Sequence, residues 1–348
     1  MSEFDFKQSI FIQHRGKPSD QFNYVYPEAQ VWVSFSYRSW MKVFFNARVN
    51  KVYSDLDDSK LIQKDSLIMA YFLMTDGAVA YKAFKSSGTP YIVSVRNSDI
   101  NHYLKYRRWL KPLARKILSN AKFIIFASPS YLEIAKEIFG EIFFNEIIFP
   151  KARIIGNIIN PSWFSGISQK TSPVDKIRLI YMGEFSKNKR LKSLIRAFDI
   201  LDEKIDLTLT LVGNYGDDCK EILRMASHRP GIKVIDKIDD TSKLIELIDT
   251  HDIFAMPSKT ETFGMAYIEA MSRGLPVIYS KGQGIDGFFP DGFVGYSVSK
   301  PLVKSIVERV LDIVKNYDTL SVQAQISSKK FDKPSILKHY SKMFSSIK

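Results

Sequence analysis

Between residues 177 and 316 short apolar runs alternate with amphipathic segments, and this alternation leaves few architectures open. The runs at 177–182, 207–212, 232–235, 253–256 and 277–279 are too short for buried helices and read as strands. The segments 191–201, 218–226, 242–250, 264–273 and 302–316 carry apolar residues at helical spacing. Strand and helix in repeated succession give a parallel sheet with helices on both faces. Ligands of such sheets bind beyond the carboxyl ends of the strands, where Gly183, Gly213, Ser258 and Glu261 fall. The first half alternates less regularly, with strands expected at 66–70, 91–95, 123–127 and 152–155. Residues 1–60 hold a single glycine, Gly16, and read as aromatic-rich segments.

A chain of 348 residues exceeds the size at which single cores stop growing, so two domains are expected. These are residues 1–164 and 176–333, joined by the polar stretch 165–175. One cysteine, Cys219, excludes an internal disulfide, and the five histidines show no metal-ligand spacing, so no metal is expected. With no apolar run of membrane-spanning length and no basic-then-apolar start, the chain is expected in the cytoplasm.

The formal charge of +13 calls for a polyanionic partner. Over 103–122 the cations Lys105, Arg107, Arg108, Lys111, Arg115, Lys116 and Lys122 stand without an acid, interleaved with Tyr103, Tyr106, Trp109, Leu110, Leu113, Ile117 and Leu118. A basic amphipathic helix with aromatic anchors suits the interface of an anionic membrane, where each cation contributes about 1 kcal/mol. The plainer reading is a solvated surface helix whose apolar side joins the core. No helix-turn-helix, zinc or RNA-recognition pattern accompanies the charge, so nucleic acid is not an expected partner.

The segment Glu261-Thr-Phe-Gly-Met-Ala-Tyr-Ile-Glu269-Ala-Met-Ser-Arg-Gly274-Leu-Pro276 sets two carboxylates eight residues apart around a helix start. Glu261 falls in the loop and Glu269 inside the helix. Free amides of Phe263, Gly264 and Met265 at the helix start favour an anionic or hydroxyl-rich ligand. A buried carboxylate at Glu269 needs hydrogen-bond partners, and a ribose diol supplies them. Together with Pro257-Ser258, Phe263-Gly264, Ala270-Met271 and Gly274-Leu275-Pro276-Val277, the segment resembles the Glu-x7-Glu signature of the family 4 retaining glycosyltransferases.

That resemblance implies an α/β chain of the GT-B fold, two facing Rossmann-like domains with a cleft between them. It spans about 66–345 and is strongest over 177–290. Residues 334–348 resemble the terminal helix that in this fold crosses back onto the first domain. The implied donor-binding residues are Gly183, Lys189, Gly213, Ser258, Glu261, Thr262, Phe263, Gly264, Met265 and Glu269. Lys189 matches the family's phosphate lysine, whereas Glu184 occupies its arginine position, with Lys187 and Arg190 available as the second cation. At an effective dielectric near 20, a carboxylate about 4 Å from a phosphate charge is repelled by roughly 4 kcal/mol. Gly213-Asn-Tyr-Gly216 resembles the family's glycine turn, and 234–239 falls where its members hold the nucleobase, with Lys237 at their usual glycine.

In the first domain Arg96 stands at the family's histidine and Asp99 at its aspartate, with Asp76-Gly77 after the preceding strand, where glycine lets acceptor or donor approach. Arg96 is read either as a phosphate ligand or as a salt-bridge partner of Asp99. Asn157 resembles a hinge asparagine, although both residues flanking it differ from the family's. Asp55-Leu-Asp57 repeats the metal-phosphate motif of the other large glycosyltransferase fold but in a polar context, so it reads as a surface turn.

The expected activity is metal-independent, retaining transfer of a sugar, with Glu261, Lys189 and Arg96 as catalytic residues. The donor is a nucleoside-diphosphate sugar, a UDP-sugar being favoured, and no cofactor is needed. The acceptor is a growing cell-surface glycan of capsule or lipopolysaccharide type, lipid-linked, at the inner face of the membrane. Two rivals stay open: a GT-B nucleotide-sugar epimerase, and a non-catalytic accessory subunit.

Overall fold

The computed structural model describes residues 7–14, 29–35, 41, 44–166, 170–173 and 175–347. Much of the aromatic-rich start, and residues 167–169 and 174 of the expected linker, lie outside the described residues. The chain forms two compact units, one from residues 1–126, 135–154 and 341–348, the other from 127–134 and 155–340.

In the first unit β1 (Gln8–Gln13) pairs in parallel with β2 (Ala29–Ser34). Helix α1 (Phe45–Asp58) packs on α2 (Thr75–Ser87) through Val52, Leu56 and Val79, and Phe11, Val49, Tyr53 and Ile62 close the cluster. Asp55 and Asp57 lie in α1 and not in the expected surface turn. Asp55 is buried, accepts from the Ser34 hydroxyl at 2.5 Å and pairs with Lys51 one helical turn away at 2.9 Å. The amphipathic spacing of Val49, Val52 and Leu56 outweighs the polar composition around them.

A four-stranded parallel sheet follows, in the order β3 (Ile68–Ala70), β4 (Tyr91–Val95), β5 (Phe123–Phe126), β6 (Ala152–Ile154). Every residue of β4 is buried, as a strand covered on both faces requires. Helix α3 (Lys111–Asn120) precedes β5; α4 (Pro129–Phe139) and the short turns α5 (Glu141–Phe143) and α6 (Phe149–Lys151) lead to β6.

The continuous basic helix expected over 103–122 is broken. A π turn at Asp99–Leu104 and a 3-10 turn at Arg108–Leu110 precede α3, whose first turn holds Pro112. The proline ring clashes with a carbonyl four residues back and starts a helix more readily than it continues one. Lys111 lies over the Phe139 ring, and Arg115 lies over Phe143 while donating to the Phe139 carbonyl. Lys105, Arg108 and Lys116 stay exposed, with Tyr106 and Trp109 67% and 72% exposed beside them.

The second unit is a six-stranded parallel sheet of β7 (Ile177–Met182), β8 (Leu207–Gly213), β9 (Ile232–Asp236), β10 (Ile253–Ala255), β11 (Val277–Ser280) and β12 (Gly295–Val298). Its helices are α7 (Leu191–Asp202), α8 (Cys219–Ser227), α9 (Thr241–Asp249), α10 (Met265–Ser272), α11 (Leu302–Lys315) and α12 (Tyr317–Ser328), and α13 (Lys333–Ser345) starts in this unit and ends among residues of the first. The strand order is β12-β11-β10-β7-β8-β9. Five strands and five helices match the sequence reading to within a few residues; β12 and α12 are additional. β12 is Gly-Tyr-Ser-Val, without an apolar run, and α12 buries Ser321, Ser327 and Ser328, so neither announces itself by pattern. Because β7 neighbours both β8 and β10, the chain winds outward in two directions from that pair. Their carboxyl ends form the switch point at which such sheets bind ligands.

Candidate functional site

Two loops meet at this switch point. After β7 the chain turns through Gly183 into a 3-10 turn at Lys187–Lys189, and after β10 it runs through Ser258 and Glu261 to the start of α10. Lys189 Nζ lies 2.7 Å from Glu261 Oε2, each side chain 18% exposed, so two sequence-predicted residues 72 positions apart form one half-buried pair. Asn188, which pattern alone does not single out, ties the loops together. Its side-chain oxygen accepts from Thr260 N–H at 3.1 Å and from the Thr260 hydroxyl at 2.8 Å, and its amide donates to the Thr260 carbonyl at 3.0 Å. From the other side the Gln283 side chain accepts from Glu261 N–H at 3.0 Å, and Gly284 N–H donates to the Glu261 carbonyl at 2.7 Å.

The glycines here answer to crowding. Gly213, at φ 151°, passes so close to the Gly183 carbonyl that a Cβ would lie 2.0 Å from its oxygen. Gly264, at φ 79°, caps α10, and a Cβ there would meet the Tyr267 ring at 2.4 Å. Tyr267 is buried beneath it and donates its hydroxyl to the Met256 carbonyl at 2.5 Å. Beyond Glu261 the polar pattern changes: no side chain caps α10, and the amides of Thr262, Phe263, Gly264, Met265 and Ala266 carry no hydrogen bond among the described residues. Ser258 is fully buried and Phe263 is turned edge-on to Phe288 and Phe331, so Phe263 offers this site its backbone only. Unpaired donors at a helix start favour an anionic ligand.

Glu269, on α10, is half-buried, and its carboxylate has no hydrogen bond or ion pair among the described residues. Burial lifts its carboxyl to about 7. Arg190 takes a left-handed backbone, φ 55° and ψ 33°, just before α7, and its guanidinium is likewise without a partner among the described residues. Burial pushes its pKa down. Glu184 is exposed and forms no ion pair with Lys187 or Arg190; its Cγ lies over Gly216, where a Cβ would approach to 2.6 Å. The Tyr181 hydroxyl donates to the Glu184 carbonyl at 2.8 Å, which fixes this loop.

In the first unit Asp76 and Asp99 also lie beyond strand ends, but Asp99 is spent on the backbone. It is fully buried and accepts from Leu73 N–H at 3.0 Å, Met74 N–H at 2.9 Å and Arg96 N–H at 2.9 Å, capping the approach to α2. Burial, opposed by these amides and reinforced by Asp76, raises its carboxyl to about 6. Arg96 therefore meets Asp99 through its backbone amide. Asp76 accepts from the Thr75 hydroxyl at 2.8 Å, and burial raises its pKa. Gly77 serves packing and not ligand approach: a Cβ there would sit 3.0 Å from Val93 and 3.2 Å from Ile117.

Two α/β units with parallel sheets, one with a nucleotide-type switch point, define the fold as that of GT-B glycosyltransferases. Sucrose-phosphate synthase from Thermosynechococcus elongatus superimposes with a TM-score of 0.73 at 17% identity, covering 97% of this chain and 88% of that one. Anabaena HepE, solved in complex with UDP, gives 0.68 at 17% identity, covering 97% and 100%. Residues 166–330 match the family model for glycosyl transferases group 1. The putative teichuronic acid biosynthesis glycosyltransferase TuaC of Bacillus subtilis (strain 168) is 24% identical over 232 residues, 64% of this chain and 55% of that protein. Another curated relative is matched over only 36% of its length.

Proposed function

We propose that the chain is a retaining GT-B glycosyltransferase of the family 4 type that moves a sugar from a nucleoside-diphosphate sugar, a UDP-sugar being favoured, to a growing surface glycan. The observation that carries the reading is the Lys189–Glu261 pair beside the unpaired amides of 262–266 and the partnerless Glu269. Glu269 accepts from the ribose diol, and Glu261 from sugar hydroxyls. Breaking the bond between anomeric carbon and diphosphate leaves negative charge on the departing phosphate. Lys189 and the amides stabilise that charge, with Arg190 as the second cation in place of the expected arginine, so metal-independent transfer belongs to the proposal. The acceptor hydroxyl forms the new bond on the face the diphosphate leaves, and its proton passes to a departing phosphate oxygen. Relatives named for teichuronic acid and lipopolysaccharide synthesis support a surface-glycan acceptor.

Exposed Tyr106 and Trp109 among Lys105, Arg108 and Lys116 support docking on an anionic membrane, at the cytoplasmic face where a lipid-linked acceptor would be presented. Incubation with labelled nucleotide sugars, with and without membranes, tests the whole reading. Acceptor-dependent release of nucleoside diphosphate is expected. Acceptor-free isomerisation would instead identify an epimerase, and neither outcome would leave an accessory subunit.

A further inference from the structure

The corner after β5 carries two buried serines that the proposed reaction does not use. Ser128 is fully buried and Ser130 nearly so, and their hydroxyls lie 3.0 Å apart. Ser128 donates to the Thr262 carbonyl at 2.7 Å across 134 positions of sequence, and Ser130 lies 3.3 Å from the Gly284 carbonyl. Pro129 between them leaves no room for a side chain at Gly287, where a Cβ would come within 2.9 Å. The pair thus bridges the two backbone stretches that flank Glu261, since Gly284 itself holds the Glu261 carbonyl at 2.7 Å.

The consequence lies in the peptide between Thr262 and Phe263. Thr262 lies two residues before Gly264, the cap of α10, and the cap carbonyl is the first to accept a helical bond, so the Met265 and Ala266 amides are free by their place in the helix. Thr262 gives its carbonyl to Ser128, which fixes the plane of the peptide that carries the Phe263 amide. We propose that Ser128, steadied by Ser130, is a positioning residue that holds the Thr262–Phe263 peptide and keeps the Phe263 amide presented to a diphosphate beside the free amides that open α10. The inference rests on the donor-site reading above.

Calorimetry with uridine diphosphate and with uridine as separate probes tests it. Ser128→Ala is expected to weaken the diphosphate by about 10-fold while uridine changes by no more than about 2-fold, because only the phosphates meet the amides. Ser128→Thr, which keeps the hydroxyl, should restore most of the affinity, and Ser130→Ala, a milder change, should give a smaller loss of the same kind. Equal losses for both probes, or a lowered melting temperature with unchanged affinities, would overturn the positioning role while leaving the donor site standing. Failure of the unaltered protein to bind uridine diphosphate would overturn both.

Discussion

Glu269 turns a single carboxyl into a measurable link between protons and ligand. Its carboxyl, lifted to about 7 by burial, is largely protonated at pH 6 in the free protein. A ribose diol donating to it favours the ionised form, so binding should release a proton, and affinity should rise by up to about 10-fold between pH 6 and pH 8. Calorimetry in buffers of different ionisation enthalpy reads the proton directly, and Glu269→Gln should flatten the pH dependence. The sign for the free protein is opposite: a carboxyl raised above its unfolded value stabilises the fold fully at low pH. That contribution is lost as pH rises through about 7. Arg190 and Glu184 give a second test at this scale. Arg190→Ala should weaken uridine diphosphate about 10-fold, the weight of one charge-assisted contact. Glu184→Arg should strengthen it, and no change in either variant would remove Arg190 from the phosphate site.

At the scale of the element, loops are held by polar side chains whose partners are distant in sequence. Asp99 holds two amides before α2 and one after β4, so Asp99→Ala should cost roughly 3 kcal/mol and lower the melting temperature by about 10 °C. An unchanged melting temperature would contradict the structural assignment. The same contacts mark where sequence reading succeeds and stops. Strands β7 to β11 and helices α7 to α11 are legible because each carries an apolar run or a helical stripe. Lys189 and the two glutamates stand out because their spacing is local and chemically specific. Asn188, Gln283, Ser128 and Ser130 do not: each is an ordinary polar residue whose role comes from a partner 22 to 154 positions away. Asp99 and Gly77 sit where a family pattern suggests ligand contact, yet burial gives one to backbone amides and the other to helix-sheet packing.

At the scale of the whole molecule, the exposed Tyr106 and Trp109 with their neighbouring cations belong to the first unit and the donor corner to the second. Lys111, Arg115 and Arg107 are half-buried over aromatic rings, while Lys105, over the Tyr106 ring, stays exposed with Arg108, Lys116 and Trp109. Replacing the three exposed cations by glutamate should release the protein from vesicles containing anionic lipid, and Trp109→Ser should weaken the association several-fold. Continued co-sedimentation would favour a solvated surface. No helix among the described residues is long and apolar enough to cross a membrane. The central claim is that Lys189 and the open start of α10 stabilise a departing diphosphate, and the rate of acceptor-dependent nucleoside diphosphate release measures it most directly. Lys189→Ala should lower that rate about 100-fold with the fold intact by circular dichroism. A variant that turns over as fast as the unaltered protein would contradict it.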